Sequence, residues 1–102
     1  MAQHHEIPAT PENMIRGYLD AASPPVLAVQ SGDTVTLHCV PAGGREFLPE
    51  LSRVPPDYLA ALDALPPGPG PHILTGPVYV HGAVPGDTLQ VDIIAATPRM
   101  DW

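Results

Sequence analysis

Apolar and polar positions alternate along two stretches of this chain, and both stretches begin at the same kind of turn. From Thr34 to Val40, Val35, Leu37 and Cys39 fall on one side while Thr34, Thr36 and His38 fall on the other. That period of two marks a strand with one buried face. Further on, Leu89, Val91 and Ile93 share a face in the same way. Ser31-Gly32-Asp33-Thr34 precedes the first run and Pro85-Gly86-Asp87-Thr88 the second. Glycine accepts backbone angles that a Cβ forbids, aspartate bonds nearby backbone N–H groups, and β-branched residues launch the strand. The pattern predicts two hairpins, one joining residues 26–29 to 34–40 and one running from Val78 to Ala95.

Between them the period changes. Tyr58, Leu62 and Leu65 stand at i, i+4 and i+7 with Leu59 beside them, which predicts an amphipathic helix over about 56–65 packed on the sheet. Pro66-Pro67-Gly68-Pro69-Gly70-Pro71 ends it and continues as a polyproline-like spacer. The segment from His4 to Asp20 supports two readings. Thr10-Pro11-Glu12 could open a helix, whereas Met14, Ile15, Tyr18 and Leu19 suit a short strand and Gly17 interrupts the helical pattern. The fold class predicted is mainly β, with hairpins forming part of a β-sandwich or barrel and one short helix covering it.

Composition narrows this. The 102 residues include 15 Pro and 9 Gly, yet 44% are hydrophobic, so turns and extended connections surround one small core. The net charge is −7, lysine is absent, and Arg16, Arg45, Arg53 and Arg99 are the only fixed cations. Nucleic-acid binding needs a clustered basic face and docking on anionic lipid needs a polybasic one, so neither nucleic acid nor membrane is an expected partner. No leader pattern or spanning run is present, and the expected location is cytoplasmic. The single Cys39 is expected to be a small buried hydrophobe. Trp102, with its large apolar surface, should either dock on the body or belong to a stretch that continues further.

Two blocks carry a resemblance. His72-Ile73-Leu74-Thr75-Gly76-Pro77-Val78-Tyr79-Val80 with Gly82-Ala83-Val84-Pro85-Gly86-Asp87-Thr88-Leu89-Gln90-Val91, and Pro25 to Leu37 ahead of it, resemble the N-terminal part of the acetamidase/formamidase family. The likeness runs in matching order from about Asn13 to Trp102. It implies hydrolysis of short linear amides, such as formamide and acetamide, to a carboxylate and ammonia in a β-rich oligomer, with zinc or calcium in the complete enzyme. It makes Asn13 to Asp20 a strand. It also implies that residues 1–102 are a single N-terminal portion, truncated relative to family members that carry downstream Gly- and Asp-rich segments with His and acidic residues. The partners implied are a small amide and either a second copy or a complementing C-terminal chain.

Amide hydrolysis needs an activated water or nucleophile, a proton donor for the departing nitrogen and donors for the oxyanion. His72, His81 and Asp87 are the candidates here. The two histidines are nine residues apart with turns between them, so their joint orientation is not readable from spacing. A solvated histidine and a turn carboxylate are the plainer readings, and His81 stands where an acidic or other polar residue is expected in relatives. Thr75-Gly76-Pro77 could offer N–H groups to an anion or form a plain corner. His4-His5-Glu6 alternate faces and make a weak metal site. Ser23, Ser31 and Ser52 lack a nucleophile-elbow context. The alternatives to an amidase are a non-catalytic partner or oligomerisation subunit, and a small β-barrel binding module.

Overall fold

The turns decide how the strands meet. A computed structural model describes residues 1–102, with strands β1 (His4–Ile7), β2 (Met14–Arg16), β3 (Leu27–Val29), β4 (Thr34–Leu37), β5 (Ile73–Thr75) and β6 (Val78–Val80), and one helix, α1 (Pro56–Ala64). Single 3₁₀ turns occupy Pro11–Asn13, Arg45–Phe47 and Leu51–Arg53. Each strand of the first three pairs with the third one after it: β1 with β4 in parallel, β2 with β5 antiparallel, and β3 with β6 in parallel. The result is three two-stranded ladders and no closed barrel or sandwich.

Neither predicted hairpin forms. β3 and β4 flank the turn at residues 30–33 but belong to different ladders. In that turn Gly32 has φ +93°, and in the turn at residues 84–87 Gly86 has φ +98°, while no residue other than glycine has a positive φ. Positive φ confined to the third turn position is the type II arrangement. Two-residue hairpins use the mirror-image turns, which need positive φ at the second position. The chain therefore leaves each turn splayed from its entry strand. Beyond Asp87, residues 88–102 contain no helix or strand and make no backbone-to-backbone hydrogen bond, so the predicted second hairpin stops at β6.

The start of the chain combines both sequence readings. Pro11–Asn13 makes one 3₁₀ turn, and Met14–Arg16 then enters the β2 ladder against β5. Gly17 follows with φ +84°, and a Cβ there would lie 2.9 Å from Gly68 Cα. The spacer thus touches the end of β2 through two facing glycines.

The helix over 56–65 is borne out as Pro56–Ala64. Proline at its first position costs no hydrogen bond, and the Leu65 N–H closes it on the Ala61 carbonyl at 3.0 Å. Its inner face is Tyr58, Ala61 and Leu62, with Leu59 and Leu65 partly buried beside them. These residues pack with Ala9, Met14, Val40, Val54 and Ile73 into the one core cluster. Burial raises the Tyr58 phenol above its ordinary value. The core is small: 12 of 102 residues are buried.

Cys39 corrects another expectation, since it is exposed. β4 contributes little to the interior, and Leu37 at its end is 45% exposed. The chain after β4 turns inward at Val40 instead.

The tail does dock. Trp102 stacks on Tyr58 at a 6.4 Å centroid distance and its Nε1–H donates to the Arg53 carbonyl at 3.3 Å. Arg53 also pairs with Asp101 at 3.2 Å. Arg99 pairs with Asp57 and donates to the Cys39 carbonyl at 3.0 Å. No helix is long and apolar enough to cross a membrane.

Candidate functional site at the paired Gly-Asp turns

Because β3 and β6 run parallel, with Leu27 beside Val78 and Val29 beside Val80, they deliver their following turns to the same end. The His81 N–H extends the ladder by donating to the Val29 carbonyl at 2.9 Å. The two turns are built alike. In the first, the Asp33 N–H donates to the Gln30 carbonyl at 3.1 Å and Asp33 Oδ2 accepts the Gln30 N–H at 3.0 Å. In the second, the Asp87 N–H donates to the Val84 carbonyl at 3.0 Å and Asp87 Oδ2 accepts the Val84 N–H at 2.9 Å. The sequence echo is therefore a structural repeat.

An open concavity of about 560 Å³ lies at this end, with Ser31 from one turn and His81, Asp87 and Thr88 from the other in its lining. Two of the three sequence candidates thus meet at one place. His81 packs edge-on against Tyr79 at 5.4 Å, which orients the ring. Asp87, by contrast, is engaged in its own turn and bonds no imidazole. Within reach of a small carbonyl compound, the concavity presents one imidazole, one carboxylate and two hydroxyls.

His72 stands elsewhere. It precedes β5, its carbonyl accepts the Gly17 N–H at 2.9 Å, and its side chain lies outside this concavity. The structure does not bring it to His81 and Asp87.

The other motifs resolve into structure. The Gly76 N–H donates to the Asn13 carbonyl at 2.8 Å and Pro77 has no N–H, so Thr75-Gly76-Pro77 is a corner and holds no anion. Thr75 Oγ1 donates to the His38 carbonyl at 2.8 Å, tying β5 to the end of β4. His5 Nε2 lies 3.0 Å from Asp33 Oδ2, His4 Nε2 lies 3.1 Å from Thr36 Oγ1, and Glu6 pairs with His38 at 2.6 Å. The first histidines bind across the β1–β4 ladder to different partners.

Asp33 gathers more hydrogen-bond donors than its turn alone supplies. Backbone N–H groups of Gln30 and Gln3, with His5 behind them, hold its carboxyl at about 2 against an ordinary 3.8. The sequence marks Asp33 chiefly as a turn carboxylate. Its second duty, accepting the Gln3 N–H at 2.9 Å, depends on a parallel pairing that no local pattern announces.

A divalent ion finds no ready donor set. No three His, Cys, Asp or Glu side chains gather where they could hold one, so the residues present do not fit a zinc or calcium site. The arginines are also committed: Arg45 to Asp63, Arg53 to Asp101 and Arg99 to Asp57, while Arg16 Nη2 donates to the Gly43 carbonyl at 3.4 Å. No family model matches this chain, and neither a curated protein nor a solved structure matches it.

Proposed function

We propose that these residues form the N-terminal strand framework of an acetamidase/formamidase-type amidohydrolase acting on short linear amides. The observation that carries the reading is the ordered run Thr75-Gly76-Pro77-Val78-Tyr79-Val80, Gly82-Ala83 and Pro85-Gly86-Asp87, which includes β6 and the turn beside the concavity. In such a reaction water oxygen bonds to the amide carbon, the C–N bond breaks, and ammonia leaves with a proton supplied to nitrogen. His81, at the rim, is the side chain here suited to moving that proton. Asp87 contributes by holding the turn that carries Thr88. His72 lies outside this concavity.

One imidazole without an oriented partner is a weak catalyst. Effective proton transfer needs positioned donors, a water and an oxyanion site together. The chain alone is therefore a poor or inactive amidase, and the rest of the machinery comes from other polypeptide.

Complementation tests this. The purified chain would be assayed for ammonia release from formamide and acetamide, alone and mixed with the downstream segment of an acetamidase/formamidase. The expected result is little or no release alone and clear turnover in the mixture, reduced by His81→Ala. A mixture as inert as its parts overturns the amidase reading. Vigorous turnover by the chain alone overturns the dependence on added polypeptide.

A second reading, a non-catalytic partner subunit, is favoured by the exposed apolar residues beyond Asp87. It predicts association without any turnover in the mixture.

A further inference from the structure

The concavity draws on two segments of chain. Its lining residues all fall between Val80 and Leu89 except Ser31, which the turn after β3 brings in. The ladder delivers it: Val29 lies beside Val80, and the Val29 carbonyl accepts the His81 N–H at 2.9 Å. The turn that carries Ser31 is fastened from β1 as well. Asp33 Oδ2 accepts the Gln30 N–H at 3.0 Å. The Asp33 side chain, only 4% exposed, is held further by the Gln3 N–H at 2.9 Å and by His5 Nε2 at 3.0 Å. These bonds use Asp33 and backbone groups and leave the Ser31 hydroxyl free. Thr88 is the other hydroxyl of the lining, but it opens a segment that makes no backbone-to-backbone hydrogen bond. Ser31 is the one held on two sides.

We propose that Ser31 positions the substrate by donating its O–H to the carbonyl oxygen of a short primary amide in the concavity, and that residues 3–5 hold Ser31 in place through Asp33. The identity of the ligand rests on the amidase reading. An unsubstituted amide carries an acceptor and a donor on one small planar group. The two turns offer the complementary pair: the Ser31 hydroxyl as donor, and Asp87 as acceptor, since its Oδ2 takes the Val84 N–H at 2.9 Å and its Oδ1 is left over. Val80, Ala83 and Leu89 line the space beside them, which suits a short acyl group. The Asp87 carboxylate that accepts an –NH2 repels the carboxylate that hydrolysis yields.

Anchoring sets Ser31 apart from Thr88. A donor already fixed in place loses little freedom when it takes up a ligand, whereas one on a loose segment has to be ordered first. No base bonds the Ser31 oxygen, so its part is to hold the carbonyl and not to attack it. The paired turns differ accordingly: Asp87 holds its turn alone, while Asp33 links the Ser31 turn to the β1–β4 ladder.

The test is a nuclear magnetic resonance titration of the chain with acetamide, with acetate as the charged control. The expected result is saturable shifts of the Ser31, His81 and Thr88 amides, with a Kd on the order of millimolar, and none with acetate. Ser31→Ala should weaken acetamide binding roughly three- to tenfold, Ser31→Thr should restore most of it, and Thr88→Val should cost less than Ser31→Ala. His5→Ala, behind Asp33, should weaken binding about twofold, while Glu6→Gln, at the other end of the β1–β4 ladder, should leave it unchanged. In the complemented mixture Ser31→Ala should raise KM by the same factor as it weakens binding, with kcat changed less. No acetamide shift at Ser31, or a Ser31→Ala variant that binds like the parent, overturns the assignment, as does a larger loss from Thr88→Val. Equal effects of His5→Ala and Glu6→Gln overturn the role of residues 3–5. Acetamide binding that depends on Ser31 in a mixture that releases no ammonia upholds Ser31 and overturns the amidase reading.

Discussion

Asp33 and Asp87 hold turns of the same kind, yet only Asp33 also receives the Gln3 N–H, from just ahead of β1, and an imidazole. That difference has a pH signature. With its carboxyl at about 2 in the fold and 3.8 as the ordinary value, the ionised form favours the folded chain. This contribution is complete above about pH 4 and is lost as pH falls through the folded value near 2. Asp33→Asn should therefore lower stability at neutral pH, and its deficit against the parent should shrink below about pH 4 and close near pH 2. Urea midpoints measured over that range check it, and a deficit that stays constant with pH refutes it. The turn role of both aspartates is legible in Gly-Asp-Thr. The pull of Gln3 and His5 on Asp33 is not, because it arises only when β1 lies beside β4. Cys39 misleads for a related reason: its alternation marks a strand face, but nothing in this chain covers that face.

Helix α1 is the element whose sequence and structure agree most fully. A 3.6-residue stripe, proline at the first position and a proline run after the end are all local signals, and local signals survive folding. Its contribution is testable. Leu62→Ala removes a buried side chain from the single core and should cost about 2–4 kcal/mol, while Leu59→Ala, at the margin, should cost less. Urea unfolding followed by circular dichroism reads both; equal costs would place the core elsewhere. The strands are legible as strands but not as pairs. Alternation shows which residues share a face and leaves the partner open. The turn type has a local signal too, since Pro85-Gly86 is the type II pairing that sends chains apart, and that signal outweighs the hairpin pattern around it. The partners of β3 and β6 are set by contacts far along the chain, which single-sequence patterning does not carry. For the candidate site, His81 and Asp87 share the loop after β6 and the parallel pairing brings Ser31 to them, while His72 is left behind ahead of β5.

At the scale of the whole molecule the chain is open. Its radius of gyration is 15.0 Å and its extents are 44 × 27 × 19 Å, against about 13 Å for a typical domain of this length. Less surface is removed from water on folding than usual, so the urea m-value of the monomer should fall roughly a sixth below that of an ordinary domain of equal length. Unfolding at concentrations low enough to keep the chain single tests this, and an ordinary m-value would mean a more closed body. The same openness marks the limit of composition as a guide: it announces a small core but does not say which surfaces remain uncovered.

The rule that each early strand joins the third one after it also governs the order of events during synthesis. A ribosome releases β1, β2 and β3 before any of their partners exists. His4–Ile7 waits for Thr34–Leu37, and the other two wait until Ile73–Thr75 and Val78–Val80 have emerged. The nascent chain consequently carries unsatisfied strands through most of its translation, and a holding chaperone has its widest opportunity before residue 73 leaves the tunnel.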